Sequence, residues 1–288
     1  MEDIKLKDRI KGKITNLPLL PEVAIKLIEI IEDDDHTVRD VVGIIENDIT
    51  LTGRALRVAN SAIFSRGVEI QSLSRAILHL GEKMVMGIAL GACSAEILSR
   101  PLEGYQSAAG ELWDHSLRTA IASRLLTDFC PRKVPPETAF TAGLLHDIGK
   151  LVMSEFMEDT TEQIIEKLNR SRGMDYLEAE RNFLGADHAE VGVELAMRWK
   201  LPYPIRESIA HHHRPDVDGL KHPGLVNLVH MGDIIAMMGG SGTGADSLAY
   251  RMSKTTSDYV RAGKQEFSLI LLLVEKEFLV IKDTIMES

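Results

Sequence analysis

Cysteine is nearly absent. Cys93 and Cys130 are the two in 288 residues, too few for a disulfide framework or a four-thiolate metal site. They read as reduced core or surface thiols. Aromatic residues make up 5% of the chain, which disfavours a β-sandwich and suits helices packed through Leu, Ile, Val, Ala and Met. Long apolar runs are missing too. The longest uncharged one, residues 269–274, falls far short of the roughly 18–20 residues a membrane span needs. The N-terminal MEDIKLKDRIKGKI is charged and lacks the apolar stretch of a signal peptide, so a soluble, cytoplasmic protein is expected. Positive charge is in deficit, with 33 Lys and Arg against 43 Asp and Glu and a net charge of −10. That field opposes non-specific binding to nucleic-acid duplexes and to anionic membranes. The remainder, 44% hydrophobic and 26% charged, is ordinary globular usage for one large domain or two small ones.

What is present is the helical period, almost everywhere. Pro21 precedes Val23, Ala24, Leu27, Ile28 and Ile31 at spacings near 3.6. Thr37 with Asp40 resembles a capping box opening a helix through Val41, Val42 and Ile45. A third helix is predicted over 48–61 and two more over 72–80 and 82–98, broken at Gly81. Arg100, Pro101, Gly104 and the following Ser-Ala-Ala-Gly form the best candidate boundary. Beyond it the pattern predicts helices over 111–129, 136–152, 158–172, 187–199, 204–213, 223–238 and 260–285. Pro136, Pro204 and Pro223 stand where helices begin. The fold class is all-α.

Neither Gly-rich stretch is a nucleotide loop. GGSGTG at 239–244 follows a helix and lacks the Lys-Ser/Thr of a P-loop, and Gly149-Lys150 is followed by Leu151. The histidines carry more. His115 lies in LWDHSLRTA, His146 and Asp147 in GLLHDIGKL, His188 in DHAEVG, and His211, His212 and His213 in IAHHHRP. Asp233 is flanked by apolar residues in GDIIAMM, where a carboxylate is costly unless paired or metal-bound. Neutral imidazole and carboxylate are the ligands of divalent transition metals. Taken singly, each has a plainer explanation. Asp147 and Lys150 could be a helical ion pair, the triple histidine a helix C-terminus, and His115 or His188 a satisfied core residue. Taken together they supply all that one metal site needs.

GLLHDIGKLV, with His115 before it and Asp233 after it, resembles the HD superfamily of metal-dependent phosphohydrolases. LPLLPEVAIKLIEIIEDDDHTVRDVVGIIENDITLTGRALRVANSAIFS, with IQSLSRAILHLGEKMV, HAEVGVELAMRWKLP and IAHHHRP, is similar to the HDOD (HD-related output domain) family across about 10–240. The resemblance implies a two-lobed helical fold: an N-terminal lobe at 10–105, an HD-like lobe at 106–245 and a helical extension at 246–288. It implies bacterial signal transduction through a regulatory output or scaffold module that acts on a protein partner. It also implies a divalent transition metal (Fe, Mn, Zn or Ni; one or two ions) held by His115, His146, Asp147, His188, His212, His213 and Asp233. His211 is the spare, and a shift of one residue would exchange it with His213. The alternative is a metal-dependent phosphohydrolase or phosphodiesterase acting on a nucleotide or other phosphoester. Asp147 and Lys150 would then be catalytic, with Arg118 and Arg214 clamping the phosphate. The GYP segment of the related HD-GYP phosphodiesterases is missing, since DVDGLKHPG follows HHHRP. Ile63 and Phe64 in ANSAIFSRG are candidates for an interlobe or partner contact. The tail residues Phe267, Leu269, Leu272, Leu273 and Phe278 are expected to pack within the chain, with a homodimer as the alternative.

Overall fold

Helix starts follow the capping chemistry of the sequence. In the computed structural model, which describes residues 10, 12, 14–15, 19–31, 33, 35–61, 69–157, 161–170, 175–242, 244 and 252–286, α1 (Glu22–Ile31) begins directly after Pro21. α2 (Val38–Glu46) opens at Thr37, whose backbone N–H and hydroxyl donate to the Asp40 carboxylate at 2.9 and 2.7 Å. Asp48 caps α3 (Ile49–Asn60) and Ser72 caps α4 (Leu73–Leu80), each side chain accepting a backbone N–H three residues on. α5 (Glu82–Leu98) turns from α4 by 115°. It is apolar on nearly every side because Met84, Val85, Met86, Ile88, Leu90 and Leu98 are all buried. No single described helix is long and apolar enough to cross a membrane.

Next come α6 (Glu111–Leu126), α7 (Pro136–Leu145), α8 (Lys150–Met157), α9 (Thr161–Arg170) and α10 (Tyr176–Leu184). α11 (His188–Arg198), α12 (Tyr203–His211), α13 (Pro223–Met238), the single turn α14 (Thr256–Tyr259) and α15 (Lys264–Met286) complete the order. Among the described residues there is no strand, only an isolated bridge between Leu102 and Ser107. α6 is the axis of this part, packed between α7 and α13 with α15 laid along it. Small residues let the backbones meet: a Cβ on Gly143 of α7 would lie 2.9 Å from the Thr119 carbonyl, and one on Gly232 of α13 would meet the same oxygen at 2.9 Å. One connected core runs from Leu27 and Ile28 of α1 through Val85 and Phe140 to Leu195 and Phe278.

Three expectations need correction. The helix predicted over 136–152 is broken at His146–Gly149 into α7 and α8. The sequence pattern predicts no helix where α10 stands, because YLEAERNFL lies between two turn signals and presents mostly polar residues. The tail does pack within the chain, but through Ile270, Val274, Phe278, Ile281 and Ile285, whereas Leu269 and Leu272 are 53% and 66% exposed. An unbroken apolar run has no helical face to read, so the sequence could not rank its members. Ile63 and Phe64 lie outside the described residues.

α15 is held on α6 by charge as well as burial. Lys282 reaches Asp114 at 2.5 Å, Arg124 reaches Glu277 at 2.5 Å, and Arg118 binds Glu275 with two N–H groups at 2.8 and 3.0 Å. The Arg118 guanidinium also lies 3.3 Å from the centre of the Phe278 ring. Phe278→Ala is therefore expected to cost about 3–5 kcal/mol, read as a lowered denaturation midpoint with the unfolding slope unchanged.

Candidate metal centre

The site begins with a change of helix type. After Leu145 the backbone tightens, with Ile148 N–H donating to Leu145, Lys150 N–H to Asp147 and Leu151 N–H to Ile148, all three residues back. In that 3₁₀ pattern side chains three apart eclipse. Lys150 therefore stands over Asp147, Nζ to Oδ2 2.6 Å, and both are 1% exposed. A continuous α-helix would instead have stacked Lys150 on His146. Gly149 makes the turn closable against α11, because a Cβ there would lie 1.8 Å from the His188 carbonyl oxygen and 2.6 Å from the Gly192 nitrogen.

Most of the imidazoles are then oriented by one nitrogen so that the other points inward. Nδ1 of His146 donates to the Gly143 carbonyl (2.8 Å), Nδ1 of His212 to Ile209 (2.9 Å) and Nδ1 of His115 to Ser241 (2.7 Å). Nδ1 of His188 donates to Glu180 Oε2 at 2.8 Å. A backbone carbonyl can only accept, so His115, His146 and His212 carry a proton on Nδ1, and in all four rings Nε2 is the atom that faces the centre. This is the arrangement by which metal-ligating histidines are held.

The inward atoms surround two carboxylates. His115 Nε2 lies 3.0 Å from Asp233 Oδ1 and 3.9 Å from Asp147 Oδ2, and His146 Nε2 lies 3.4 Å from Asp147 Oδ2. On the other side His188 Nε2 and His212 Nε2 each lie 3.5 Å from Asp147 Oδ1, and His213 Nδ1 is 3.8 Å from Asp233 Oδ2. Two groups could thus hold an ion, Asp147 with His188, His212 and His213, and Asp147 with His115 and His146. Asp147 is common to both. Its Oδ1, with Nε2 of His146 and of His212, is buried without a hydrogen bond. Three convergent acceptors with no donor are what a cation would satisfy.

The electrostatics follow the same geometry. Burial acts to raise the Asp147 carboxyl, but the neighbouring His146 and Lys150 hold it well below the usual carboxylate range. Asp233 is likewise penalised by burial and brought down to about 2 by its contact with His115. Burial disfavours a charged His115, yet Asp233 outweighs it and raises that imidazole. For His188 burial is again outweighed, here by Glu180, which lifts it to about 9. Burial dominates at His212, pushed down to about 4, and with His212 and His188 as neighbours it depresses His213.

Among the residues expected at this site, His115, His146, Asp147, Lys150, His188, His212, His213 and Asp233 come together. His211 does not; it is half-exposed at the end of α12 and belongs to neither group. Arg118 faces Glu275 and Phe278 on α15, with one contact of 3.4 Å to Ser241 Oγ. Arg214 is half-buried in the turn after α12, its backbone N–H donating to His211. Sequence reasoning missed four supports. Glu180 accepts from both His188 nitrogens, backbone and ring, and from the Tyr105 hydroxyl at 2.5 Å. His230 donates to the His212 carbonyl at 2.7 Å, and the Ser241 carbonyl serves His115. Glu180 offered one signal, an acid in an otherwise apolar register with Tyr176, Leu177 and Leu184.

A family model for the HDOD domain matches residues 17–215. An uncharacterized protein of Treponema pallidum (strain Nichols) is 26% identical over 212 residues, which are 73% of this chain and 40% of the relative. The chain thus matches about 40% of the length of that relative. Among solved structures, an HDOD domain protein with unknown function from Geobacter sulfurreducens superposes with a TM-score of 0.75 at 20% identity, covering 98% of this chain and 97% of the other. A candidate phosphohydrolase from Shewanella amazonensis SB2B gives 0.69 at 22% identity, over 96% and 97% of the two chains. A candidate signal transduction protein from Marinobacter aquaeolei VT8 gives 0.72 at 21%, over 99% and 64%. At these identities the solved structures establish the all-helical fold.

The close approach at Gly149 generates a direct test. Gly149→Ala must push α11 away from the 3₁₀ turn, an overpacking against backbone that is expected to cost roughly 3 kcal/mol or more. Thermal unfolding checks it; a midpoint within a degree of the parent would show that the turn yields instead.

Proposed function

Because the chain belongs to the HDOD domain family, we propose that it is a cytoplasmic output module of bacterial signal transduction, built around a buried divalent-metal centre and acting on a regulatory protein partner. Burial carries this reading. The side chains of His115, His146, Asp147, His188, His212, His213 and Asp233 are 0–4% exposed. A catalytic metal keeps an open coordination position and must admit its substrate, whereas a structural or sensing metal is closed off. The donor set suits Fe, Mn, Zn or Ni, with imidazole and carboxylate ligands and no thiolate. His115, His146, His188, His212, His213, Asp147 and Asp233 would hold one ion, or two sharing Asp147.

One observation favours a second reading, a metal-dependent phosphohydrolase. Two ligand groups meeting at Asp147, with an ammonium 2.6 Å from the same carboxylate, are the parts from which two-metal phosphoester hydrolysis is assembled. A bound metal would lower the pKa of a coordinated water and polarise a phosphoryl oxygen. Lys150 would then stand where charge develops on phosphate. This reading needs an opening to solvent, and the substrate would be a nucleotide or another phosphoester.

Elemental analysis of freshly purified protein is expected to give about one or more equivalents of transition metal per chain. Asp147→Ala should abolish that content, and a chelator should lower the melting temperature, because binding to the folded state alone stabilises it. Metal-free preparations whose melting temperature ignores added metal would remove the metal centre. On a phosphoester panel with Mn or Fe added, the regulatory reading expects no turnover that Asp147→Ala abolishes; such turnover would establish the hydrolase instead.

A further inference from the structure

A cavity of about 350 Å³, separate from the metal residues, opens at the other end of the helices that carry them. That volume is within the range of small-molecule pockets. Its walls include the first turns of α7 and α13 and Pro204 near the start of α12. None of these three helix starts has a side-chain cap. First-turn N–H groups of α7 and α13 therefore look into the cavity with partial positive charge.

Three cations line the same space: Arg132 and Lys133 from the segment before α7, and Lys221 from the segment before α13. In a chain of net charge −10 this is a local reversal of sign. Two of them are steadied by aromatic rings, Arg132 over Tyr259 at 5.3 Å and Lys221 over Tyr203 at 4.9 Å. Such contacts orient a cation without consuming its N–H donors. Of the nearby acids, Glu137 in the first turn of α7 faces Lys83 at 3.4 Å, and Glu207 is engaged as well. Glu207 accepts from the backbone N–H groups of Lys221 (2.9 Å) and His222 (2.7 Å), from His222 Nδ1 (3.0 Å) and from the Tyr203 hydroxyl (3.1 Å).

Thr138 adds a hydroxyl to the same wall. It is 6% exposed, and its hydroxyl has no hydrogen-bond partner among the described residues. A hydroxyl that reaches the cavity without a protein partner is free to bond a ligand there. Opposite the polar groups, Ile31 of α1 and Pro135 and Leu225 supply an apolar wall.

We propose that this cavity binds a small phosphorylated molecule with an apolar or planar body. Its phosphate lies against Arg132, Lys133, Lys221, Thr138 and the helix N-termini, and its body against Ile31 and Leu225. Coupling to the metal centre follows from the helices, and this part alone rests on the metal reading above. Pro136 and His146 are ten residues apart on and after α7, Pro223 and Asp233 ten apart on α13, so each pair is separated by roughly 15 Å of helix. Pro204 and His212 repeat the arrangement along α12. A ligand that draws Ile31 toward these helix starts acts on the same rigid elements that place the metal residues.

The test uses the full chain stripped of metal, with inorganic phosphate and adenosine monophosphate as probes in calorimetry and thermal shift. Both are expected to bind, the nucleotide more tightly. Lys133→Gln with Lys221→Gln should weaken binding at least about tenfold, and Thr138→Val should weaken it measurably. These are exposed or isosteric changes, so the melting temperature without probe should stay that of the parent. No binding of either probe at millimolar concentration overturns the proposal. Binding that disappears on metal removal and ignores the lysine substitutions overturns it as well, because the phosphate would then sit on the metal. Metal content measured in the same variants keeps failure of the metal reading separate: an unmetallated protein that still binds phosphate supports this pocket.

Discussion

A carboxylate buried in a helical core has to be compensated, and Asp147 sets the terms for everything around it. It is 1% exposed, so water contributes almost nothing and an unpaired charge there would be prohibitive. One oxygen takes the Lys150 ammonium at 2.6 Å; the other looks toward His188 and His212. To bring the ammonium into place the chain abandons the α-helical repeat for three residues. Closing that turn against α11 then leaves no room for a side chain at Gly149. The fold near the centre is thus shaped by one charge.

The helices around it are used with consistent polarity. His146 and His212 follow the ends of α7 and α12 and donate back to carbonyls of those final turns, at Gly143 and Ile209. Helix C-termini carry partial negative charge and favour cations nearby. The N-termini of the same two helices, with that of α13, face the basic cavity instead. A cation at one end and an anion at the other would both be favoured by the helix dipoles, so the two sites are electrostatically compatible rather than competing.

Much of this was legible in the sequence, for reasons that can be named. Prolines and capping residues marked helix starts because their chemistry is local. The imidazole and carboxylate residues stood out because they gather in GLLHDIGKL, DHAEVG and IAHHHRP, and because Asp233 has no comfortable place in apolar surroundings without a partner. The 3₁₀ turn was not legible, since GLLHDIGKLV continues the helical period and only the approach of α11 betrays the break. Glu180 was missed for a related reason. Its partnership with His188 depends on the reversal at Gly185–Asp187, and with Tyr105 on packing 75 residues away. The tail was half read: its helix was evident, but residues 269–274 have no polar member to mark a face. The cavity beside Thr138 left no trace, because it draws on segments from α1 to α13.

Charge balance bears on how many ions the centre could take. Three buried carboxylates, Asp147, Asp233 and Glu180, face one buried ammonium, Lys150, leaving two negative charges to neutralise. Without metal, positive charge is favoured on the His115 and His188 imidazoles, which Asp233 and Glu180 raise. One divalent cation supplies the same two charges and leaves the imidazoles neutral, as ligation requires. A second dication would add two positive charges to an enclosed space with no further acid in either ligand group to meet them. It would need a hydroxide or a phosphate oxygen alongside it, and hence the solvent opening that the hydrolase reading requires. In the closed form described here, electrostatics argue for a single ion, and the number bound is coupled to whether the centre ever opens.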